Sequence, residues 1–132
     1  VRFRTGDIIA IDETELCQCG CAGFRFRVVG RSDDMIVVRG LNMFPTMVAT
    51  VINSFEDVTG DYRIVLDRPP PYDVLPVQVE LASGRPVSQE LARKIEKKFK
   101  KTLGASAHVS LLPHGAFPVT EGKTRRVIRS YE

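Results

Sequence analysis

The sequence contains no long hydrophobic run. No stretch of its 132 residues approaches the roughly 18 consecutive apolar residues that a membrane-spanning helix requires. The first residues, VRFRTGD, also lack the basic, apolar and small-residue regions of a secretory signal peptide. We therefore expect a soluble, cytoplasmic protein without a membrane partner. Because strand-like patterning begins almost at Val1, we also expect that an N-terminal partner domain is missing from this chain.

Cysteine is scarce as well. The three cysteines lie together in CQCGC, at Cys17, Cys19 and Cys21. So few cysteines in a chain of cytoplasmic type argue against a disulfide framework, and they leave free thiols or metal ligands as the alternatives.

Aromatic residues are missing where a nucleic-acid surface would need them. The net charge is +3, and the basic excess is concentrated in RKIEKKFKK, from Arg93 to Lys101. Proteins that bind single strands interleave aromatic with basic side chains so that bases can stack, and this stretch has no such series. A solvated helix face is the better interpretation, so we expect no nucleic-acid partner.

What is present is the composition of one globular domain. With 43% hydrophobic and 27% charged residues, the chain has enough apolar side chains for a modest core. Two strand-like segments, Asp7–Asp12 and Gly23–Val29, predict a β-hairpin joined by a Cys- and Gly-rich turn. We expect one wet face on this hairpin, carrying Arg25 and Arg27.

From Met35 onward the order of predicted elements is strand, helix, strand, strand, helix, strand. Pro45 suits the first position of a helix, because its missing N–H would be unpaired there anyway. The second helix begins near Ser88, with acid in its first turn and base in its last turn before Gly104, as the helix dipole favours. The predicted strands are Met35–Val38, Tyr62–Leu66, Leu75–Leu81 and His108–Leu112.

This order predicts an α+β fold of the ferredoxin-like β-α-β-β-α-β type. We expect an antiparallel sheet with both helices on one face. The leading hairpin and a short C-terminal loop and strand are additions to that unit.

The tail FPVTEGKTRRV, from Phe117 to Val127, holds a lysine beside a glycine. Lys123 follows Gly122 and lies near hydroxyl and arginine groups. Such a lysine suits an anionic ligand, because its ammonium is a compact donor for phosphate or carboxylate oxygens. The spacing does not match a P-loop. Taken alone, the tail is better explained as a polar loop before a terminal strand.

Four stretches together carry a family resemblance. They are FRTGD (Phe3–Asp7), GRSDDMIVVRG (Gly30–Gly40), LNMFP (Leu41–Pro45) and TEGKTRRV (Thr120–Val127). In this order they resemble the C-terminal part of adenylate-forming enzymes, the acyl-CoA synthetase superfamily, and most closely its phenylacetate-CoA ligase branch. The NMFP ending is the feature that favours this branch. Residues 1–30 would then be the hairpin and the end of the main-domain linker region, and residues 31–132 the C-terminal lid domain.

The resemblance implies a role for each matched residue. Asp7 would hold the ribose hydroxyls of ATP, and Arg31 would also meet the nucleotide. Asp33 would be the hinge about which the lid swings between two catalytic conformations. Gly40 would lie where the pantetheine arm of CoA passes, and Lys123 would bridge the carboxylate substrate and the α-phosphate.

The implied activity is that of an ATP-dependent acid–thiol ligase acting on a small aryl carboxylate such as phenylacetate. The acid reacts with ATP to give acyl-AMP and pyrophosphate, and CoA then displaces AMP. ATP, Mg²⁺ and CoA are implied for the whole enzyme, whereas this chain alone is expected to be inactive. Two departures from the family pattern are Val119 before Thr120, where arginine is more usual, and Phe3 in place of tyrosine.

The cysteine turn leaves its alternatives open. Cys17, Cys19 and Cys21 could supply three ligands of a structural zinc, but their spacing is tighter than usual and no fourth ligand is near in sequence. Some relatives carry a similar turn, which would let the missing domain provide the last ligand. Free thiols are the simpler interpretation.

Two other functions remain compatible with the sequence. An adenylating enzyme could pass its acyl group to an acceptor other than CoA, since Gly40 suits either. A free-standing ferredoxin-like module could bind a small ligand and catalyse nothing. A homodimer in which the hairpin contacts a neighbour is also compatible.

Overall fold

The computed structural model of the chain describes residues 2–13, 15, 18–118 and 124–132. The strands are β1 (Asp7–Glu13), β2 (Arg25–Arg31), β3 (Ile36–Val38), β4 (Leu41–Met43), β5 (Val58–Leu66), β6 (Leu75–Leu81), β7 (Ala107–Leu112) and β8 (Val127–Arg129). The helices are a 3-10 turn (Ser32–Asp34), α1 (Pro45–Ile52) and α2 (Gln89–Leu103). No helix among the described residues is long and apolar enough to cross a membrane.

The predicted leading hairpin is present. Strands β1 and β2 pair antiparallel, with Ile9 opposite Val28 and Ile11 opposite Phe26. Arg27 donates to Asp12 across the strands at 3.1 Å, which agrees with a wet face. The apolar face is exposed as well, since Ile9, Ile11, Phe24, Phe26 and Val28 all remain more than 40% accessible. The hairpin therefore presents a surface that the described residues do not cover.

A second, very small hairpin follows the 3-10 turn. Strands β3 and β4 pair antiparallel and are joined by Arg39 and Gly40, whose φ angles are 49° and 83°. Two consecutive left-handed residues form the tight turn that matches the twist of paired strands. Because this turn reverses the chain at once, β3 has no length with which to enter a larger sheet.

The main sheet has four strands in the order β7-β6-β5-β8. Strands β5 and β6 are antiparallel, whereas β6 pairs with β7 and β5 pairs with β8 in parallel. The expectation of an antiparallel sheet that includes Met35–Val38 is therefore wrong. The C-terminal strand β8 occupies an edge of the sheet, and β3 pairs with β4 instead. The α+β class and the predicted order of elements are confirmed.

One core lies between the helices and the sheet. Helix α1 begins at Pro45 as predicted and contributes Val48, Val51 and Ile52, while Phe55 lies beyond its end. Helix α2 begins after Ser88 and ends at Gly104, whose φ of 73° is the expected left-handed cap. Ile95 and Phe99 of α2 are fully buried in the same cluster as alternate residues of β5 and β6. This agrees with both helices lying on one face.

The other face of the sheet is partly covered by the chain that follows β7. Glu80 alternates with Val79 and Leu81 along β6, yet it is only 5% exposed. The backbone N–H of Phe117 donates to Glu80 Oε2 at 3.1 Å. The segment between β7 and β8 thus begins by crossing the face opposite the helices.

Candidate functional site

The two residues expected at the nucleotide, Asp7 and Arg31, lie directly opposite each other. They are cross-strand partners where β1 begins and β2 ends. Arg31 Nη1 is 3.6 Å from Asp7 Oδ1, and both side chains remain more than a third exposed. The hairpin register therefore brings together two groups that lie 24 positions apart in the chain.

Asp33, the expected hinge residue, joins the same cluster. Arg31 Nη2 donates to Asp33 Oδ2 at 3.0 Å, and Arg31 Nε donates to the same oxygen at 3.3 Å. This hydrogen bond is the main reason that the pKa of the Asp33 carboxyl lies below its ordinary value. The backbone carbonyl of Asp33 accepts from Arg129 Nη2 of β8 at 3.1 Å. The expected hinge is thus held from the hairpin side and from the main sheet.

The loop before β1 is fitted closely to this cluster. Ser32 donates its backbone N–H and its hydroxyl to the carbonyl of Gly6, at 2.8 and 3.1 Å. Gly6 has φ 79°, and a Cβ there would lie 3.3 Å from Arg31 Nη2 and from Asp33 Oδ1. The RTGD glycine is therefore required both by its backbone conformation and by the side chains beside it.

An open cleft of about 500 Å³ lies at this point. Its lining is formed by Arg4, Thr5, Gly6, Asp7 and Ser32. The backbone N–H of Asp7 donates to Thr5 Oγ1 at 3.3 Å, and the Asp7 carboxylate lies 3.6 Å from Arg31 Nη1. Exposed carboxylate oxygens accept hydrogen bonds from hydroxyl groups, so the cleft is chemically suited to a ribose.

Gly40 lies outside this cluster, in the turn between β3 and β4. Its φ is 83°, and a Cβ built there would meet nothing within 4 Å. The conformation, not crowding by this chain, is what favours glycine. The neighbouring Arg39 contacts the other side of the turn, where its Nε lies 3.9 Å from Asp73 Oδ1.

The structure describes two of the four remaining expected site residues. Lys123 and Cys17 lie outside the described residues. Cys19 and Cys21 are exposed free thiols. In the described part of the chain, no group of three or more His, Cys, Asp or Glu side chains could hold a metal ion. These residues therefore do not complete a zinc site, and they assign no position to Mg²⁺.

The NMFP stretch has a structural role that its sequence did not reveal. Phe44 is 7% exposed, and its ring lies so close to Gly30 that a Cβ there would be 2.7 Å from Phe44 Cδ1. Thr46 Oγ1 donates to the carbonyl of Val29 at 2.7 Å. These contacts dock the start of α1 onto the end of β2.

The sequence of the chain matches a known family over most of its length. Residues 40–130 match the sequence family described as AMP-binding enzyme C-terminal domain. The chain belongs to this family. The match spans most of the chain, from the β3–β4 turn to β8, and the family resemblance noted in the sequence is confirmed.

Curated relatives extend the similarity over the hairpin. The chain is 33% identical to the phenylacetate-coenzyme A ligase of Thermus thermophilus, with 97% of this chain and 33% of that protein aligned. It is 34% identical to the phenylacetate-coenzyme A ligase of Escherichia coli, with 96% and 30% aligned. The chain therefore spans about a third of the length of these relatives.

Solved structures show the same architecture. A domain of phenylacetate-coenzyme A ligase from Bacteroides vulgatus is 31% identical, with a TM-score of 0.61 over 74% of this chain and 93% of that one. A 2-hydroxyisobutyryl-CoA ligase in the postadenylation state, bound to 2-HIB-AMP, is 27% identical, with a TM-score of 0.79 over 96% of this chain and 28% of that one.

The same ligase has also been solved in other states, and these compare less well. In its thioesterification state, with 2-HIB-AMP and CoA, the TM-score is 0.63 at the same 27% identity and nearly the same coverage, 95% of this chain. Identity and coverage hardly differ between the two comparisons, so this chain superimposes better on the postadenylation structure than on the thioesterification structure.

Proposed function

We propose that this chain is the C-terminal domain of a longer aryl-acetate CoA ligase, which forms acyl-AMP from ATP and a carboxylic acid and then transfers the acyl group to CoA. The Asp7–Arg31–Asp33 cluster carries this proposal. It joins Asp7 and Arg31, which we expect at the nucleotide, to Asp33, which we expect at the hinge. Membership of the AMP-binding C-terminal family and the phenylacetate-CoA ligase relatives support the same reaction class.

Each residue has one task in this scheme. Asp7 accepts hydrogen bonds from the ribose hydroxyls, and Arg31 fixes the direction of that carboxylate while facing the nucleotide. Lys123 supplies positive charge at the α-phosphate as the carboxylate attacks and pyrophosphate leaves. Bound Mg²⁺ would add further charge stabilisation, but the described residues hold no site for it.

The second half-reaction requires a different arrangement. The thiol of CoA attacks the acyl carbon of acyl-AMP, and AMP leaves with the bonding electrons. Gly40 and Lys123 would then have to reach one active site in turn, and rotation about Asp33 would allow this. The two TM-scores against one ligase in two states support such a rearrangement within the length of this chain.

The exposed face of the hairpin suggests where the rest of the enzyme lies. Ile9, Ile11, Phe26 and Val28 form an apolar patch that the described residues leave open. Contiguous apolar surface of this kind marks an interaction site. We assign it to the N-terminal adenylation domain. Light scattering on the full-length protein would show whether a homodimer uses it instead.

A structural zinc at Cys17, Cys19 and Cys21 stays a proposal beside the simpler one of free thiols. Metal analysis of the full-length protein distinguishes them. One zinc per chain that is lost in Cys19→Ser supports the metal site. Three thiols that react freely with a thiol reagent in the native protein support the alternative.

The reaction is tested with the full-length ligase. Phenylacetate should drive exchange of labelled pyrophosphate into ATP, and AMP release should increase when CoA is added. Exchange without CoA-dependent AMP release would point to another acceptor. If none of a panel of aryl and alkyl acids supports pyrophosphate exchange, the proposed adenylation is contradicted.

A further inference from the structure

Glu80 is the one charged residue that is buried among the residues the structure describes. It is 5% exposed, whereas its neighbours along β6 on either side are apolar core residues. Burying a carboxylate is costly unless its oxygens are matched by donors. Its position therefore requires partners that offset desolvation, and two of them, His114 and Phe117, lie in the segment that follows β7.

Both oxygens of Glu80 face the segment that follows β7. Oε2 accepts the backbone N–H of Phe117 at 3.1 Å, and Oε1 lies 3.7 Å from His114 Nδ1. The ring of Phe117 lies under the guanidinium of Arg63, whose Cζ is 4.7 Å from the ring centroid. Two neighbouring strands, β5 and β6, thus hold the same residue by its backbone and by its side chain.

The far end of the following segment is anchored beside it. Arg126 Nη1 donates to Asp61 Oδ1 at 3.1 Å and to the carbonyl of Tyr62 at 3.2 Å. Its guanidinium also stacks on the Tyr62 ring, 4.8 Å from the centroid. Phe117 and Pro118 on one side, and Thr124 and Arg126 on the other, line a single cleft of about 400 Å³.

We propose that Glu80 is a positioning residue for adenylation: by holding the N–H of Phe117, it fixes the point from which the chain leads to Lys123, six residues further on. This rests on the proposed function, since it assumes that Lys123 acts at the α-phosphate. Glu80 itself does not touch the reacting atoms. Its carboxylate belongs to β6, so it fixes the position of Phe117 relative to the main sheet.

The test uses the full-length ligase with Glu80→Ala and Glu80→Gln. The amide oxygen of glutamine still accepts the Phe117 N–H, whereas alanine removes the acceptor. Hydrogen exchange in a peptide covering residues 114–118 should speed up at least about tenfold in Glu80→Ala, as expected for loss of a protecting bond worth about 1.4 kcal/mol or more. Glu80→Gln should keep most of the protection. Glu90→Ala, in the exposed first turn of α2, is the matched control.

Kinetics of the two half-reactions complete the test. Adenylation in Glu80→Ala should fall by about 10- to 100-fold, on the order of 1.4–2.7 kcal/mol, while thioester formation from supplied acyl-AMP stays within about twofold. Glu80→Gln should restore most of the adenylation rate. Unchanged hydrogen exchange in Glu80→Ala would overturn the proposal. Equal loss of both half-reactions with no rescue by Glu80→Gln would also overturn it.

Failure of the proposed function gives a different result. If Lys123→Ala adenylates as fast as wild type, then the role proposed for Lys123 is wrong. The hydrogen-exchange data alone then decide whether Glu80 holds Phe117. If Glu80→Ala does not fold, Glu80→Leu, which fills the site with an apolar side chain that cannot accept a hydrogen bond, takes its place. Unchanged hydrogen exchange at residues 114–118 in Glu80→Leu, or loss of adenylation in Glu80→Gln with that protection kept, would count against the positioning role.

Discussion

Arg31 is the residue on which the cleft depends most, because its guanidinium contacts both Asp7 and Asp33. A nucleotide that recruits this guanidinium would compete with both carboxylates. The strength of these ion pairs is modest at an exposed site. This suits a group that has to exchange partners during a catalytic cycle, since a stronger pair would resist exchange.

The Arg31–Asp33 contact predicts a change in titration. The pKa of Asp33 is lowered mainly by its hydrogen bond from Arg31. In Arg31→Ala the pKa should therefore rise toward its ordinary value. Carbon-13 NMR of the aspartate carboxyls measures this shift, with Arg27→Ala as the control because Arg27 pairs with Asp12. Identical Asp33 titration in wild type and Arg31→Ala would rule out the contact in solution.

The sign of the pH dependence follows from the same shift. Since the folded-state pKa is depressed, the contact contributes stability above the unfolded-state pKa of about 3.9. That contribution is lost as the pH falls through the lower folded-state pKa. The arrangement of the hinge should accordingly persist through neutral pH and loosen only in acid.

At the scale of elements, the junction that we propose as the hinge is also a packed contact between the hairpin and the rest of the chain. Phe44 packs on Gly30, and Thr46 binds the carbonyl of Val29, so β2 and α1 move as neighbours. The 3-10 turn at Ser32–Asp34 lies between β2 and β3. Rotation about Asp33 would require the Phe44 contact to slide or separate.

Gly30→Ala tests this contact. A Cβ at this position would lie 2.7 Å from Phe44 Cδ1, so either the ring or the strand must shift. We expect a loss of roughly 1–3 kcal/mol in the free energy of unfolding, measured by urea denaturation. Gly23→Ala is the matched control, since a Cβ there meets nothing within 4 Å. Phe44→Leu should relieve part of the loss, and a strictly additive double mutant would contradict the proposed packing.

Elements with local signals could be predicted from the sequence. Helix α2 has acid at its start, base at its end and a left-handed glycine after it, and its bounds were predicted closely. The partner of β3 could not be predicted in this way. A three-residue strand has too few side chains to specify a register, and the turn at Arg39 and Gly40 decides its pairing.

The candidate site, like the fold, could be predicted only in part from the sequence. Asp7, Arg31 and Asp33 were each expected at the nucleotide or the hinge through the family resemblance, but only the hairpin register shows that they touch. Glu80 was missed because strand alternation separates it from the core face, and its burial depends on a segment more than thirty residues later. Long-range covering of this kind leaves no local signal in the sequence.

At the scale of the whole molecule, the main sheet contacts the junction around Asp33 through its edge strand β8. Strand β8 pairs with β5, and Arg129 at its end reaches the backbone of Asp33. In the sequence, Lys123 lies between β7 and β8, so it shortly precedes the strand whose Arg129 contacts Asp33.

We propose that this domain supplies Lys123 to adenylation and not to thioester formation. Single-turnover kinetics of Lys123→Ala in the full-length ligase test this role most directly. Formation of acyl-AMP from ATP and acid should fall by about two orders of magnitude or more. Thioester formation from supplied acyl-AMP and CoA should stay within about threefold of wild type. Equal loss of both half-reactions, or an unchanged rate of adenylation, would contradict the account.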